Sequence, residues 1–240
     1  MAYNFLGLVN DINKKLNEVE LTSSNFSSAT GFYSHAKDAV NAAIQDINQL
    51  EFQWFWNHVS QTDTLTAGTS RYNYPANAKT IDFDSFRIRR NTSFNNETVK
   101  LRILSYEEYL EKFVDQEYNN DTSLRNIPSF IVQAPNRQFV LVQTPKENYQ
   151  LSYEYYTVTT DLSAHSDVPI IPEMYRHVIV EGATYYAYMF RGNTQDATVA
   201  KAKFEQNLKH MRIMLVNRTE YVRSTVLPQN KRYTAGFRVN

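Results

Sequence analysis

The chain has 240 residues, with 25 acidic and 25 basic side chains, so its formal net charge is zero. This length fits one large domain or two small ones, and a neutral chain has no overall electrostatic reason to bind nucleic acid or an anionic membrane. The absence of cysteine excludes disulfides, thiolate metal sites and thiol nucleophiles.

The N-terminus has no basic segment followed by an apolar stretch, and no apolar run approaches the ~18–20 residues that span a bilayer. We therefore expect a protein that is made and used without secretion. The only excess in the composition is aromatic, with 17 Tyr, 14 Phe and 2 Trp, while Gly is scarce at 6. This combination is typical of rigid, packed surfaces.

Apolar residues recur at helical spacing in the first 60 residues. The first stripe predicts a helix over residues 3–19, and it consists of Phe5, Val9, Ile12, Leu16 and Val19. A polar connection over 21–31 follows. The second stripe predicts another helix, and it consists of Ala36, Val40, Ala43, Ile47, Leu50 and Trp54. This helix ends in an aromatic cluster of Phe52, Trp54, Phe55 and Trp56, of which Trp54 is predicted to fill the core.

Between about 61 and 167 the period changes to two, which indicates strands. Alternation predicts one strand through Val99, Leu101 and Ile103, one over 139–142 and one over 149–155, with shorter candidates at 70–74, 81–83 and 86–89. The phase shift at residues 84–85 suggests a bulge or turn. One helix, from Ser105 to about Glu117, interrupts the strands with a capping box. This segment contains one lysine, Lys112, and six acids: Glu107, Glu108, Glu111, Asp115, Glu117 and Asp121.

Helical spacing resumes at Pro172 and continues to about Arg191, where Gly192 can adopt a left-handed cap. A long last helix then begins at 193 or 194. Its apolar stripe is Ala197, Ala200, Phe204, Leu208, Met211, Leu215 and Val222. The final twenty residues, 221–240, carry several basic and aromatic side chains and no acid.

These elements predict an α+β fold in which strands are inserted between two helix pairs. We expect a four-helix bundle from residues 1–60 and 168–224, and an inserted antiparallel domain over 61–167 that resembles a β-sandwich or barrel. An extended C-terminal arm would occupy 225–240. Tyr185, Tyr186, Tyr188 and Phe190 cover more than one face of their helix, which favours burial by a neighbouring subunit.

Groups for catalysis are sparse, so we expect no enzyme, no catalytic residues, no bound metal and no cofactor. His177 and Glu181 lie one helical turn apart, which suits a metal ligand pair, but an ion pair or hydrogen bond on the helix face explains them better. Asp82 and Asp84 could share a cation, although a solvated strand face is the favoured interpretation. The glycines are too scattered for a nucleotide-binding loop.

The C-terminal segment is either a disordered end or an arm that docks to a partner, because Tyr and Arg are enriched at interfaces. The residues of this predicted arm are Tyr221, Arg223, Lys231, Arg232, Tyr233, Phe237 and Arg238.

Four stretches, over residues 9–22, 37–48, 64–72 and 177–193, resemble the head–tail adaptor of short-tailed bacteriophages (podoviruses), a family also called tail tubular protein A. The likeness covers nearly the whole chain in order and spacing. It implies a virion protein that forms a ring, of twelve copies by family analogy, between the portal and the tail nozzle, with fibres attached and DNA passing through without specific binding.

The resemblance also implies roles for particular residues. The C-terminal arm would bind the portal or a neighbouring subunit, and four basic residues of the last helix would either face the channel or form a solvated helix face: Lys201, Lys203, Lys209 and Arg212. Two alternatives stay open at this point. One is a carbohydrate-binding or adhesin module that uses the Tyr-rich strands for stacking, and the other is a metal-dependent hydrolase.

Overall fold

The computed structural model describes residues 2–51, 53–91, 96–118 and 121–215. Within these ranges the chain is α+β, as predicted, with six α-helices and eight strands. The helices are α1 (Phe5–Lys15), α2 (Phe32–Leu50), α3 (Tyr106–Lys112), α4 (Val114–Tyr118), α5 (Arg176–Phe190) and α6 (Thr194–Leu215). The strands are β1 (His58–Thr64), β2 (Arg71–Asn73), β3 (Ala78–Asn91), β4 (Asn96–Lys100), β5 (Arg102–Leu104), β6 (Phe130–Ala134), β7 (Gln138–Val142) and β8 (Gln150–Thr157).

One hydrophobic cluster joins α1, α2, α5 and α6, so the N-terminal and C-terminal helix pairs share a core. The helices approach one another closely at Gly182. A Cβ added there would lie 2.9 Å from the Phe204 ring and 3.0 Å from the Cβ of Ala43. Glycine at this position therefore lets α5 pack directly against both α2 and α6.

The first helix is shorter than predicted, because a local polar network ends it. Asn17 adopts the left-handed region with φ of 56°, which takes the chain out of the helix after Leu16. The buried amide of Asn10 then accepts a hydrogen bond from the Leu21 backbone N–H and donates one to the Leu21 carbonyl, each at 2.8 Å. Val19, which was predicted to lie on the apolar stripe, is 73% exposed.

The strands form two four-stranded sheets. The first sheet has the order β1-β8-β3-β4 and is antiparallel throughout. The second sheet has the order β2-β7-β6-β5, and its β5–β6 pair is parallel, so the prediction of purely antiparallel strands was wrong. The reason is the connection: α3 and α4 lie between β5 and β6, and a helical crossover allows parallel pairing.

Two strand predictions differ from the structure. The candidates at 81–83 and 86–89 belong to the single strand β3, whose register shifts between Asp82 and Arg87, which confirms the predicted bulge. The strand predicted through Val99, Leu101 and Ile103 is divided at Leu101, because β4 pairs in the first sheet and β5 pairs in the second. The fully buried Leu101 is the crossing point between the sheets.

The strand portion is layered. The inner faces of both sheets share one hydrophobic cluster, to which the first sheet contributes Phe86 and Leu151 and the second contributes Ile131 and Phe139. The other face of the second sheet is covered by α3 and α4, through a separate cluster around Tyr109. The order of layers is therefore α3 and α4, second sheet, first sheet.

The helix predicted over 105–117 begins as expected, because the Ser105 hydroxyl accepts a hydrogen bond from the Glu108 N–H at 3.3 Å. It is interrupted at Phe113, which divides it into α3 and α4. The interruption turns Glu117 inward, where its carboxylate accepts two hydrogen bonds from Arg71, at 2.7 and 2.9 Å, and one from the Tyr109 hydroxyl.

Glu117→Gln is expected to destabilise the strand portion by about 1–3 kcal/mol, because Arg71 loses its charged partner in a partly buried site. The hydrogen bonds from Arg71, and then that from Tyr109, hold the pKa of Glu117 below its usual value. Because the pKa of Glu117 is lower in the folded state, its charge stabilises the fold at pH values above the unfolded-state pKa. This stability is lost as the pH falls through the folded-state pKa.

Denaturant unfolding of wild type and Glu117→Gln at pH 7 and in acid would measure this contribution. The difference between the two proteins should shrink in acid. Glu108→Gln, which removes an exposed carboxylate of the same segment, is the control. A difference that is unchanged by pH would contradict the assignment.

Candidate functional surfaces

The exposed side of α3 and α4 carries mostly negative charge. We define the acidic surface as Glu107, Glu108, Glu111, Lys112 and Asp115. The Lys112 ammonium lies 2.8 Å from the Glu108 carboxylate. Apolar side chains accompany these charges on the two helices, since Leu110 is 45% exposed and Tyr118 is 75% exposed.

A group of cations lies on the outer face of the first sheet. We define the basic corner as Arg87, Arg89 and Lys100, which are all exposed. Alternation along β3 explains the direction of Arg87 and Arg89, because Phe86 and Ile88 are fully buried and the residues beside them must point to the other face. Arg87 is paired in register with Lys100 on β4, so the three cations are close together.

Neutral partners surround the basic corner on β8, where Ser152 lies in register with Arg87 and Gln150 with Arg89. The Arg89 guanidinium donates a 3.5 Å hydrogen bond to the Gln150 side chain. The Lys100 ammonium lies 3.1 Å from the Asp84 carboxylate. The two arginines therefore contribute most of the positive charge at this corner.

The basic residues of α6 do not form one row. Helical geometry of ~100° per residue puts Lys201, Lys209 and Arg212 on neighbouring positions and Lys203 on the other side of the buried stripe. Arg212 forms an ion pair at 3.2 Å with the buried carboxylate of Glu51. Lys201 lies 3.8 Å from Glu205 and over the Tyr185 ring. A role of any of them in a channel stays a prediction.

The predicted arm lies outside the described residues. This applies to Tyr221, Arg223, Lys231, Arg232, Tyr233, Phe237 and Arg238, and also to Val222 of the last apolar stripe. Phe52 of the aromatic cluster lies outside them as well. The nearby Trp54 is fully buried, as predicted, and stacks on Trp56 with ring centroids 4.8 Å apart.

Polar groups of α5 hold the helices together. Glu181 pairs with Lys15 of α1 at 2.5 Å, and Arg176 pairs with Asp11 at 2.7 Å. Within residues 2–51, 53–91, 96–118 and 121–215, no three His, Asp or Glu side chains are grouped as a metal site would require. Glu181 thus forms its ion pair with Lys15 on another helix, whereas the favoured interpretation was a pair on the face of its own helix.

The Asp82 and Asp84 carboxylates are used locally at the bulge of β3. Asp82 accepts a 3.0 Å hydrogen bond from the Asp84 backbone N–H, and Asp84 pairs with Lys100. Both residues are exposed. This arrangement agrees with the solvated strand face that the sequence favoured.

The aromatic residues of α5 find partners within the chain. The Tyr186 hydroxyl donates a 2.6 Å hydrogen bond to Asp46 on α2, and burial together with this carboxylate raises the pKa of Tyr186 to about 12. Phe190 stacks on His35 with ring centroids 3.7 Å apart, yet it stays 51% exposed. Tyr186 thus has a partner within the chain, while burial of the remaining aromatic surface by a neighbouring subunit stays a prediction.

Three tyrosines in and just before β8 point into the core, while Tyr156 is half-buried and stacks on His58. Tyr149, Tyr153 and Tyr155 are at most 6% exposed, and the Tyr153 hydroxyl donates a 2.7 Å hydrogen bond to Asp63. These rings cannot serve as an exposed stacking platform.

The basic corner was not identified from the sequence, although the alternation of arginine with Phe86 and Ile88 contains the signal.

None of the helices in the described part of the chain is both long enough and apolar enough to cross a membrane.

No curated protein matches the chain. A family model described as SU10 adaptor protein matches residues 3–229, which is nearly the whole chain. The adaptor resemblance is thereby confirmed at the level of a phage adaptor, while the specific likeness to tail tubular protein A stays a prediction. The chain belongs to the SU10 adaptor protein family and is a phage structural adaptor protein, a component of the virion.

Proposed function

We propose that this adaptor forms a head-to-tail ring, of twelve copies, between the portal and the tail nozzle of a short-tailed phage. The ring anchors the tail and its fibres and forms part of the channel through which DNA is ejected. The observation that carries this proposal is the adaptor family match over residues 3–229. In this proposal the protein is assembled in the host cytoplasm and resides in the tail, below the portal vertex.

The proposed architecture assigns a task to each part. Residues 1–60 and 168–224 act as a four-helix bundle that packs beside its neighbours, and 61–167 act as a β-sandwich domain directed toward nozzle and fibres. Residues 225–240 form the arm that reaches the portal. The shared core of α1, α2, α5 and α6, and the separate core between the sheets, support this division.

The proposed work is mechanical rather than catalytic. Two charged side chains of α5, Glu181 and Arg176, form ion pairs with α1, which is a structural role. A near-neutral chain also suits a DNA channel, because each phosphate neutralised by a protein cation adds a salt slope of roughly −0.9 and holds the DNA. A channel that makes few such contacts lets the DNA pass.

The adhesin alternative is supported less well, because it needs aromatic rings at the surface of the β portion. The tyrosines that suggested it, Tyr149, Tyr153 and Tyr155, lie in the core. A glycan-binding module would also have no reason to associate with a portal, so one assembly experiment separates the two functions.

Mixing the full-length protein with the portal protein of the same phage should give rings attached to the portal by negative-stain microscopy. Truncation after residue 226, or Arg232→Glu with Arg238→Glu, should weaken this association, and the arginine contribution should fall as salt rises. Lys146→Glu, an exposed substitution outside the arm, is the control. Failure of the wild-type protein to associate would contradict the proposed function, and indifference to truncation would contradict the role of the arm.

A further inference from the structure

Two surfaces of opposite charge lie on opposite sides of the strand portion. The acidic surface projects from α3 and α4, which cover the outer face of the second sheet. The basic corner lies on the outer face of the first sheet, whose inner face packs against the second sheet. Both sheets therefore separate the two surfaces.

The acidic surface is suited to a protein contact. It has four carboxylates and one lysine, so its net charge is three negative charges. The fifth acid of these helices, Glu117, is turned inward toward Arg71. The exposed apolar side chains of Leu110 and Tyr118 lie on the same two helices. Apolar groups beside charges are typical of a contact that buries area and is oriented by electrostatics.

The basic corner has the matching chemistry. The guanidinium groups of Arg87 and Arg89 can each bind a carboxylate through two parallel hydrogen bonds. The acids of the same sheet face are partly neutralised, since Asp84 pairs with Lys100 and Glu154 with His58 when the histidine is protonated. Asp82 makes a hydrogen bond to the backbone beside the bulge. The corner is thus the positive end of this face.

We propose that the acidic surface of one copy binds the basic corner of the next copy. The two surfaces differ and lie on opposite sides of the molecule, so the contact is head-to-tail, which is the kind that closes into a ring when the rotation between copies permits it. This inference rests on the proposed ring function and identifies one of its subunit contacts. A stable interface uses about 20–30 residues on each side, and α3 and α4 together have fewer. This contact therefore sets orientation and register, while other surfaces add area.

The test is a charge exchange in the full-length protein, with ring assembly on the portal as the readout. One variant carries Arg87→Glu and Arg89→Glu, a second carries Glu107→Lys and Glu111→Lys, and a third carries all four substitutions. Lys146→Glu is the single-charge control, and melting temperatures establish that each variant is folded. All five positions are exposed, so the substitutions leave the core unchanged.

Each double variant should need at least roughly tenfold more protein to assemble, because like charges then face each other. The variant with all four substitutions should recover assembly, and so should a 1:1 mixture of the two double variants, in which inverted and native pairs alternate. Double variants that assemble like wild type would overturn this inference and leave the proposed function standing. Loss of assembly in both double variants, with no recovery in the variant with four substitutions or in the mixture, would overturn the pairing of these two surfaces. A wild-type protein that forms no ring would overturn the proposed function and the inference with it.

Discussion

Trp54→Ala is expected to lower the free energy of unfolding of the helical portion by about 3–5 kcal/mol. Trp54 is the largest fully buried side chain in the described part of the chain. Its ring stacks on Trp56, and its indole N–H donates a 2.7 Å hydrogen bond to the Ile47 carbonyl of α2. The substitution therefore leaves a cavity and removes the partner of a buried carbonyl at the same time.

Denaturant unfolding would measure the loss, and hydrogen exchange would locate it. Protection should fall first in α1, α2, α5 and α6, which share the cluster with Trp54. Phe55→Ala is the matched control, because this neighbouring ring is 56% exposed and its removal should cost less than about 0.5 kcal/mol. Equal losses from the two substitutions would contradict the assignment of Trp54 to the core.

Phe86→Ala is expected to lower the free energy of unfolding of the strand portion by about 3–5 kcal/mol, as Trp54→Ala does for the helices. Phe86 is fully buried between the sheets, stacked on Tyr153 with centroids 4.7 Å apart and edge-on to Phe139 at 5.2 Å. Its loss removes both aromatic contacts and opens a cavity at the centre of the layers.

Hydrogen exchange should show the largest loss of protection in β3, β7 and β8, the strands that carry these three rings. Phe86→Leu keeps most of the volume and should cost less than half as much, which separates cavity formation from a change of backbone. If Phe86→Ala reduced protection mainly in the helices, the separation of the core between the sheets from the helical core would be wrong.

Local patterns were sufficient wherever neighbouring residues in the chain decide the structure. The apolar stripe of α6 was predicted correctly from Ala197 to Met211, because helical spacing alone puts these residues on one face. Gly192 adopts φ of 72° at the end of the α5 region, since glycine has no Cβ to oppose it. The alternation over 149–155 likewise identified Leu151, Tyr153 and Tyr155 of β8 as one face of a strand.

The candidate surfaces were predicted only in part. The acid-rich segment around Glu107 and Glu111 was visible as composition, but the inward turn of Glu117 depends on Arg71, which is 46 residues away in sequence. The basic corner was missed because Arg87 and Lys100 are brought together by strand pairing between β3 and β4. Composition counts charges along the chain and does not show which charges become neighbours.

The sequence by itself determined the fold class, the position of a strand-rich segment between two helix pairs, and the absence of thiol chemistry. Tertiary structure alone decided that the chain changes sheets at Leu101, that β5 is parallel to β6, and that the acidic and basic surfaces face away from each other. The physical reason is that a period of two specifies alternation along a strand, whereas its neighbours are chosen by hydrogen bonds and packing between residues distant in sequence. Helical periodicity needs no such partner, which is why the helices were predicted better than the sheets.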